Sequence, residues 1–241
     1  DYEAASWAEG EVNSAPWYDQ EINSVVIEEG TVNIGQNAFE NTSIEEIIIP
    51  SSVKTIEMGA FLNSRLKTLT TVSGLETIEN GAFTNGNLTD IYLSDTVKNI
   101  TSGSFAQWLQ NVTIDPNNPY FNVVDNVLYN EAGTELVFCG RGVQNLVIPD
   151  SVTTIKYGAV GTASLFTIEF GENLTTIEND NLSRMWPMKS MRLFWKNTGR
   201  YVNKIPKSKP SARSAWTITT RTSPGRSSSV PSGCRWSWPG S

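Results

Sequence analysis

The chain has 241 residues, 39% of them hydrophobic, and a formal net charge of −7, which suits one or two small domains or one short repeat array. It contains no histidine, so histidine-based triads, cysteine–histidine pairs and histidine metal sites are excluded. All 25 acidic residues lie at or before Asp180, beside six basic ones, giving −19 for that stretch and +12 for the rest. An acidic body of that kind repels nucleic acid and anionic membranes. No apolar run is long enough to span a bilayer. No leader of charged then apolar residues is present, so a secretory signal, if used, is expected outside this stretch. Cys139 and Cys234 lie far apart in segments of different character, and nothing in their spacing specifies a disulfide.

Residues 1–21 read as a partial N-terminal cap. Trp7, Trp17 and Tyr18 are suited to cover the open end of a stacked core, and Ala15-Pro16-Trp17 reads as extended or turn. Then a pattern begins and returns every 22 residues, with starts at Ile22, Ile44, Leu66 and Leu88. In the second copy, Ile44, Ile47 and Ile49 lead through Pro50 to Val53, Ile56 and Gly59-Ala60-Phe61. The third repeats this with Leu66, Leu69, Leu75, Ile78 and Gly81-Ala82-Phe83. The fourth has Leu88, Ile91, Leu93, Val97, Ile100 and Gly103-Ser104-Phe105. A fixed period in the twenties predicts a solenoid, each repeat one coil stacked on the next.

A fifth coil starts at Leu109 with Val112 and Ile114, then departs. The cluster Asp115-Pro116-Asn117-Asn118-Pro119 is a turn. Short β-favouring runs follow, so residues 115–142 are expected to form a hairpin insertion protruding from that coil. The period resumes with Val143, Leu146, Ile148, Val152, Ile155 and Gly158-Ala159-Val160, then Leu165, Ile168, Phe170, Leu174 and Ile177. A weak last copy runs through Met188, Met191 and Leu193, placing the solenoid at 22–197. Residues 198–241 are basic, aperiodic and rich in Ser, Arg, Pro and Trp. They read as an irregular tail, either disordered linker or a product of out-of-frame translation or gene truncation.

The roles of the repeated residues follow from strand geometry. Residues 47 and 49 alternate with 46 and 48, so one pair points into the coil and the other out. Pro50 ends the strand, Gly59 permits a tight bend, and Phe39, Phe61, Phe83 and Phe105 are expected to stack between coils. Thr71, polar at a core position, departs from the pattern.

These motifs resemble the BspA-like class of leucine-rich repeats. The carriers are Ile47-Ile48-Ile49-Pro50-Ser51-Ser52-Val53-Lys54-Thr55-Ile56 with Gly59-Ala60-Phe61, and Leu146-Val147-Ile148-Pro149-Asp150-Ser151-Val152-Thr153-Thr154-Ile155 with Gly158-Ala159. Ser14-Ala15-Pro16-Trp17-Tyr18 and the stretch from Asn118-Pro119-Tyr120-Phe121 to Val127-Leu128-Tyr129 are similar to segments of many members. The resemblance implies an α/β or mainly-β repeat, a right-handed leucine-rich-repeat solenoid with short parallel strands along one side. It implies export to the cell surface or medium, and adhesion or recognition rather than catalysis, with no cofactor. The expected partner is an extracellular protein or glycan. A structural spacer and a glycan-active enzyme, or accessory module of one, are the alternatives.

The candidate surface is the outward side of the short strands. Two columns flank the inward residues: Glu46, Thr68, Asp90, Asn111 and Thr167, and beside them Ile48, Thr70, Tyr92, Thr113 and Glu169. A plain solvated sheet of β-favouring residues accounts for the same columns. Glu57 and Glu79, one period apart, form a candidate carboxylate pair for Ca²⁺ or a shared proton, or simply exposed turn charges. Asn87-Leu88-Thr89, Asn111-Val112-Thr113 and Asn173-Leu174-Thr175 match the glycosylation pattern, and read as by-products of the repeat. No catalytic residue or metal ligand is expected.

Overall fold

The structure is a computed structural model that describes residues 15, 17, 21–101, 103–105, 108–160 and 164–178, and the backbone of three later strands. It is a β-solenoid of about seven turns of parallel strands, with no helix among the described residues.

Each ordinary coil contributes two short strands, not one. The first ladder is made of two sheets, Val25–Val26 with Ile47–Ile48, then Thr68–Thr70 with Asp90–Leu93 and Asn111–Ile114. Its first rungs follow the sequence period, Val25 pairing with Ile47 and Thr68 with Asp90, while Asp90 pairs with Asn111 one residue short of it; all are parallel. A second ladder, on the return leg, stacks Asn33–Ile34, Thr55–Ile56, Thr77–Ile78 and Asn99–Ile100. The expectation of strands along one side alone is therefore corrected. The return strands are two residues long, too short to show an alternation in sequence.

The Gly-Ala-Phe corner makes a third column of contacts without being a strand. The Phe39, Phe61 and Phe83 N–H groups donate to the carbonyls of Ala60, Ala82 and Ser104 in the next coil, at 2.7, 2.7 and 2.9 Å. Asparagines with left-handed backbone complete the corners; Asn41, Asn63 and Asn85 sit one period apart with φ of 58°, 56° and 55°. Asn63 Nδ2 donates to Asn41 Oδ1 at 2.9 Å. Coil packing also fixes Gly74, whose φ is 134° and whose position leaves no room for a Cβ against the Ser51 carbonyl.

Inside these legs lie the aliphatic residues of the repeat, among them Ile44, Val53, Ile56, Leu66, Leu75, Ile78 and Leu88, each at most 1% exposed. The phenylalanines form a file: Trp17, Phe39, Phe61 and Phe83 stack with centroid separations of 5.9, 5.3 and 5.4 Å. Trp17 closes its N-terminal end and donates its indole N–H to the Ala38 carbonyl. Trp7 and Tyr18 lie outside the described residues. Phe105 leaves the expected stack and meets Phe138 edge-on at 5.0 Å.

That departure begins at the fifth coil. Phe121–Val124, Val127–Asn130 and Glu135–Cys139 form an antiparallel meander, with a two-residue turn at Asp125 and Asn126, both of positive φ. Its last strand starts a second return-leg sheet, separate from the first: Glu135 pairs with Thr154 and Leu136 with Ile155, and the stack continues to Thr176–Ile177. The segment thus does not simply protrude. Its strands form a wall through the core, with side chains sent to both sides. Leu128, Val137 and Phe138 join the N-terminal half of the core, while Val127, Tyr129, Leu136 and Cys139 join the C-terminal half.

Two asparagines hold this wall. Asn118 Nδ2 donates to the carbonyls of Ser94 and Val97 at 2.7 and 2.9 Å, and its Oδ1 accepts from the Tyr120 and Phe121 N–H groups. Asn126 Oδ1 accepts from Val112 N–H at 2.9 Å, and its Nδ2 donates to the Gln110 carbonyl. Each carboxamide stands in for a missing peptide unit of the neighbouring coil. Gly140 is required beside it, since a Cβ there would overlap the Asn126 carboxamide and the Gln110 carbonyl. The buried hydroxyl of Thr71 is likewise matched, donating to the Tyr92 carbonyl and accepting from Ser94 N–H.

Beyond the wall a separate sheet joins Asn145–Val147, Thr167–Phe170 and Arg192–Trp195 in parallel. In the tail, expected to be irregular, Trp216–Thr219 pairs antiparallel with Thr176–Ile177 at the end of the meander's sheet, and Arg235–Ser237 pairs antiparallel with Trp216–Thr219.

Removing the Phe83 ring leaves a cavity at the end of a fully buried file. Phe83→Ala is expected to cost about 3–5 kcal/mol in a chemical melt, and an unchanged midpoint would contradict the file. Asn126→Gly keeps the left-handed turn and deletes only the carboxamide. It is expected to cost about 1–3 kcal/mol, for the Val112 and Gln110 groups it orphans, and a neutral effect would contradict the bridging role.

Candidate functional site

The ten candidate residues divide at the wall. Eight of them, Glu46, Ile48, Thr68, Thr70, Asp90, Tyr92, Asn111 and Thr113, lie on successive coils of the first ladder. Thr68 is paired with Asp90, Thr70 with Tyr92, Asp90 with Asn111 and Tyr92 with Thr113. The second coil joins the third through Lys67 N–H donating to the Glu45 carbonyl at 3.2 Å, one period away. Thr167 and Glu169 belong to the sheet beyond the wall, paired with Asn145 and Val147. The period alone suggested one continuous surface; the structure gives a five-coil face and a separate short one.

The five-coil face changes character along its length. At its N-terminal end Val26 and Ile48 are paired neighbours, 88% and 82% exposed. Thr68 and Thr70 follow, both exposed. At the fourth and fifth coils the face becomes a hydrogen-bonded polar cluster. Asn111 Nδ2 donates to Asp90 Oδ1 and the Thr89 hydroxyl to Asp90 Oδ2, both at 2.6 Å. The Tyr92 hydroxyl donates to Asp115 Oδ2 at 2.8 Å, and Asn117 N–H donates to Asp115 Oδ1 at 2.8 Å.

These donors hold both carboxylates ionised. The Thr89 hydroxyl, then the Asn111 amide, keep the Asp90 carboxyl below its ordinary range. The Asn117 N–H and the Tyr92 hydroxyl do the same for Asp115, which in turn pushes the Tyr92 phenol up. At the side of the face Lys67 binds Glu45 at 2.7 Å and holds that carboxyl down. The two outward columns of coils one to five carry no lysine or arginine.

Glu57 and Glu79 do not form a carboxylate pair with each other. Glu57 Oε2 accepts from Gln36 N–H at 3.0 Å, and Glu79 Oε2 from Met58 N–H at 3.1 Å. Glu178 does the same for Tyr157 N–H at 2.8 Å. This glutamate is thus a repeat device that satisfies a corner N–H of the preceding coil. Among the described residues no group of three or more Cys, Asp or Glu is placed to hold a metal ion. No helix among them is long and apolar enough to cross a membrane. The sequence reading missed Asp115 and Asn117 as members of the face. Their place in a turn cluster hid them, although Asp115 falls one residue beyond the last residue of the Asn111–Ile114 strand.

Cys139, a free thiol, is buried in the core away from this face. Burial pushes its thiol from 9.0 to about 12, and burial, with Cys139 and Asp125 nearby, pushes the Tyr129 phenol from 10.0 to about 12. Between these limits the folded chain holds protons that the unfolded chain releases. Stability is therefore complete below about pH 9 and falls as pH rises toward 12. Melting temperatures read across this range should show that fall, reduced in Cys139→Ala and Tyr129→Phe; a flat profile would contradict the burial of these two groups.

The family model described as BspA type Leucine rich repeat region matches residues 11–131 and 134–205, in six copies. The chain is similar to the crystal structure of the pneumococcal vaccine antigen PcpA. The match has 25% identity and a TM-score of 0.63, and covers 68% of this chain and 44% of that one. It is also similar to a leucine-rich repeat protein from Eubacterium ventriosum, at 18% identity and a TM-score of 0.55, covering 76% of this chain and 63% of the other. The chain thus spans less than two thirds of either relative. No curated protein sequence matches it.

Proposed function

We propose a function on this premise: the chain belongs to the BspA-type leucine-rich repeat family. It is a non-enzymatic recognition or adhesion module, secreted or held at a bacterial cell surface. It binds an extracellular protein or glycan through the outward face of coils one to five. The observation that carries this reading is the construction of that face. From the third coil on, its side chains stand on parallel strands paired in register, so Thr70, Tyr92 and Thr113 are presented in fixed order with little entropy left to lose on binding. The structural relative named as a vaccine antigen is in keeping with an exposed location.

The test is a screen of the intact chain on arrays of glycans and extracellular-matrix proteins. A variant carrying Tyr92→Ala, Asp90→Ala and Asn111→Ala is screened beside it. The expected result is a bound partner whose affinity falls at least about tenfold in the variant, with an unchanged melting temperature. A partner bound equally by both would overturn the assignment to this face and favour a spacer. Turnover of any polysaccharide would overturn the non-enzymatic reading.

A further inference from the structure

The face has two features that no partner can ignore together. Val26 and Ile48 are aliphatic, adjacent in register and almost fully exposed, while most other Val, Ile and Leu of coils two to four are buried. Around them acidic groups prevail, although the exposed Arg65 acts on the Glu45 carboxylate from the margin. Glu46 shares the column beside Ile48, Glu28 follows Val26 in the chain, and Asp90 and Asp115 lie further along the same face. Lys67, at the margin, is already engaged by Glu45.

We infer that the partner of this face is a protein segment that is both aliphatic and cationic, its apolar side chains lying on Val26 and Ile48 and its lysines or arginines meeting Glu46 and the Asp90–Asp115 cluster. This rests on the recognition reading above and narrows it. A sugar laid on Val26 and Ile48 would lose water from its hydroxyls with no hydrogen-bond partner in return, whereas aliphatic side chains are stabilised there. A second copy of this chain would bring Glu46 and Asp90 against carboxylates of the same face, and like charges repel across a desolvated interface. Complementary charge favours a cationic partner and speeds its arrival.

The probe is a synthetic twelve-residue peptide of alternating lysine and valine. Neutral threonine–valine and anionic glutamate–valine versions serve as comparisons. Affinity for the intact chain is read by fluorescence anisotropy at several salt concentrations. The lysine–valine peptide is expected to bind at least about tenfold more tightly than either comparison. Val26→Thr with Ile48→Thr, both compatible with an exposed strand, should weaken it by at least about tenfold. Glu46→Gln with Asp90→Asn should flatten its salt dependence, and Glu131→Gln, an exposed acid on the meander, should change nothing.

Five outcomes would overturn the inference. One is binding indifferent to the Val26 and Ile48 substitutions. Another is an equal effect of Glu131→Gln, which marks non-specific attraction. The third is self-association of the unliganded chain that Ile48→Thr abolishes, which makes a second copy the occupant. Glycan binding lost in Tyr92→Ala but untouched by Val26→Thr and Ile48→Thr would overturn this inference and leave the recognition reading standing. Absence of any ligand sensitive to either set of changes would overturn both.

Discussion

Every coil satisfies its backbone through its neighbours. The described chain has no helix, so apart from tight-turn bonds such as Val53 N–H to the Pro50 carbonyl, its N–H and C=O groups find partners one turn away. The corner bonds from Phe39 to Ala60, Phe61 to Ala82 and Phe83 to Ser104 express that requirement. The ladder takes one exception, since Asp90 pairs with Asn111 one residue earlier than the repeat predicts. The otherwise regular 22-residue period, the phenylalanine file and the exposure of one strand face follow from the same requirement.

The fifth coil is where the requirement is met by other means. Its corner is two residues shorter than an ordinary one, counted from the strand to the inter-coil bond at Cys139. The shortening leaves a small hollow lined by Phe105, Val137, Phe138, Tyr157 and Gly158. It also takes Phe105 out of the file. Two asparagine side chains then supply the donors and acceptors that a regular coil would have supplied from its backbone. The meander divides one core into two and ends the continuous face after Thr113. An insertion that reads as an ornament in sequence is the element that sets how much surface the N-terminal half presents.

The stacking was legible because apolar side chains, spaced at 44, 47 and 49 and again one period on, must point inward together. Exposure of Glu46, Ile48, Asp90 and Tyr92 on one face followed from the same alternation. The return-leg ladder was hidden, since two-residue strands such as Thr55–Ile56 leave no periodic trace. The break between Asn111 and Asn145 was hidden too, because a period resumed after a long excursion carries no information about register across it. The roles of Asn118, Asn126 and the repeat glutamates depend on where a side chain reaches, and composition is silent on that. In these last cases the missed feature was a side chain acting as partner to a backbone group.

Hydrogen exchange at single-residue resolution reads the stacking constraint most directly. The amides of Phe39, Phe61 and Phe83, each donating to the coil that follows, should be protected together and open only with the whole N-terminal half. The exposed meander loop around Ala132 should exchange far sooner. If those three amides exchanged independently, at the rates of an unstructured chain, the coils would not be held by one another and the account would be wrong.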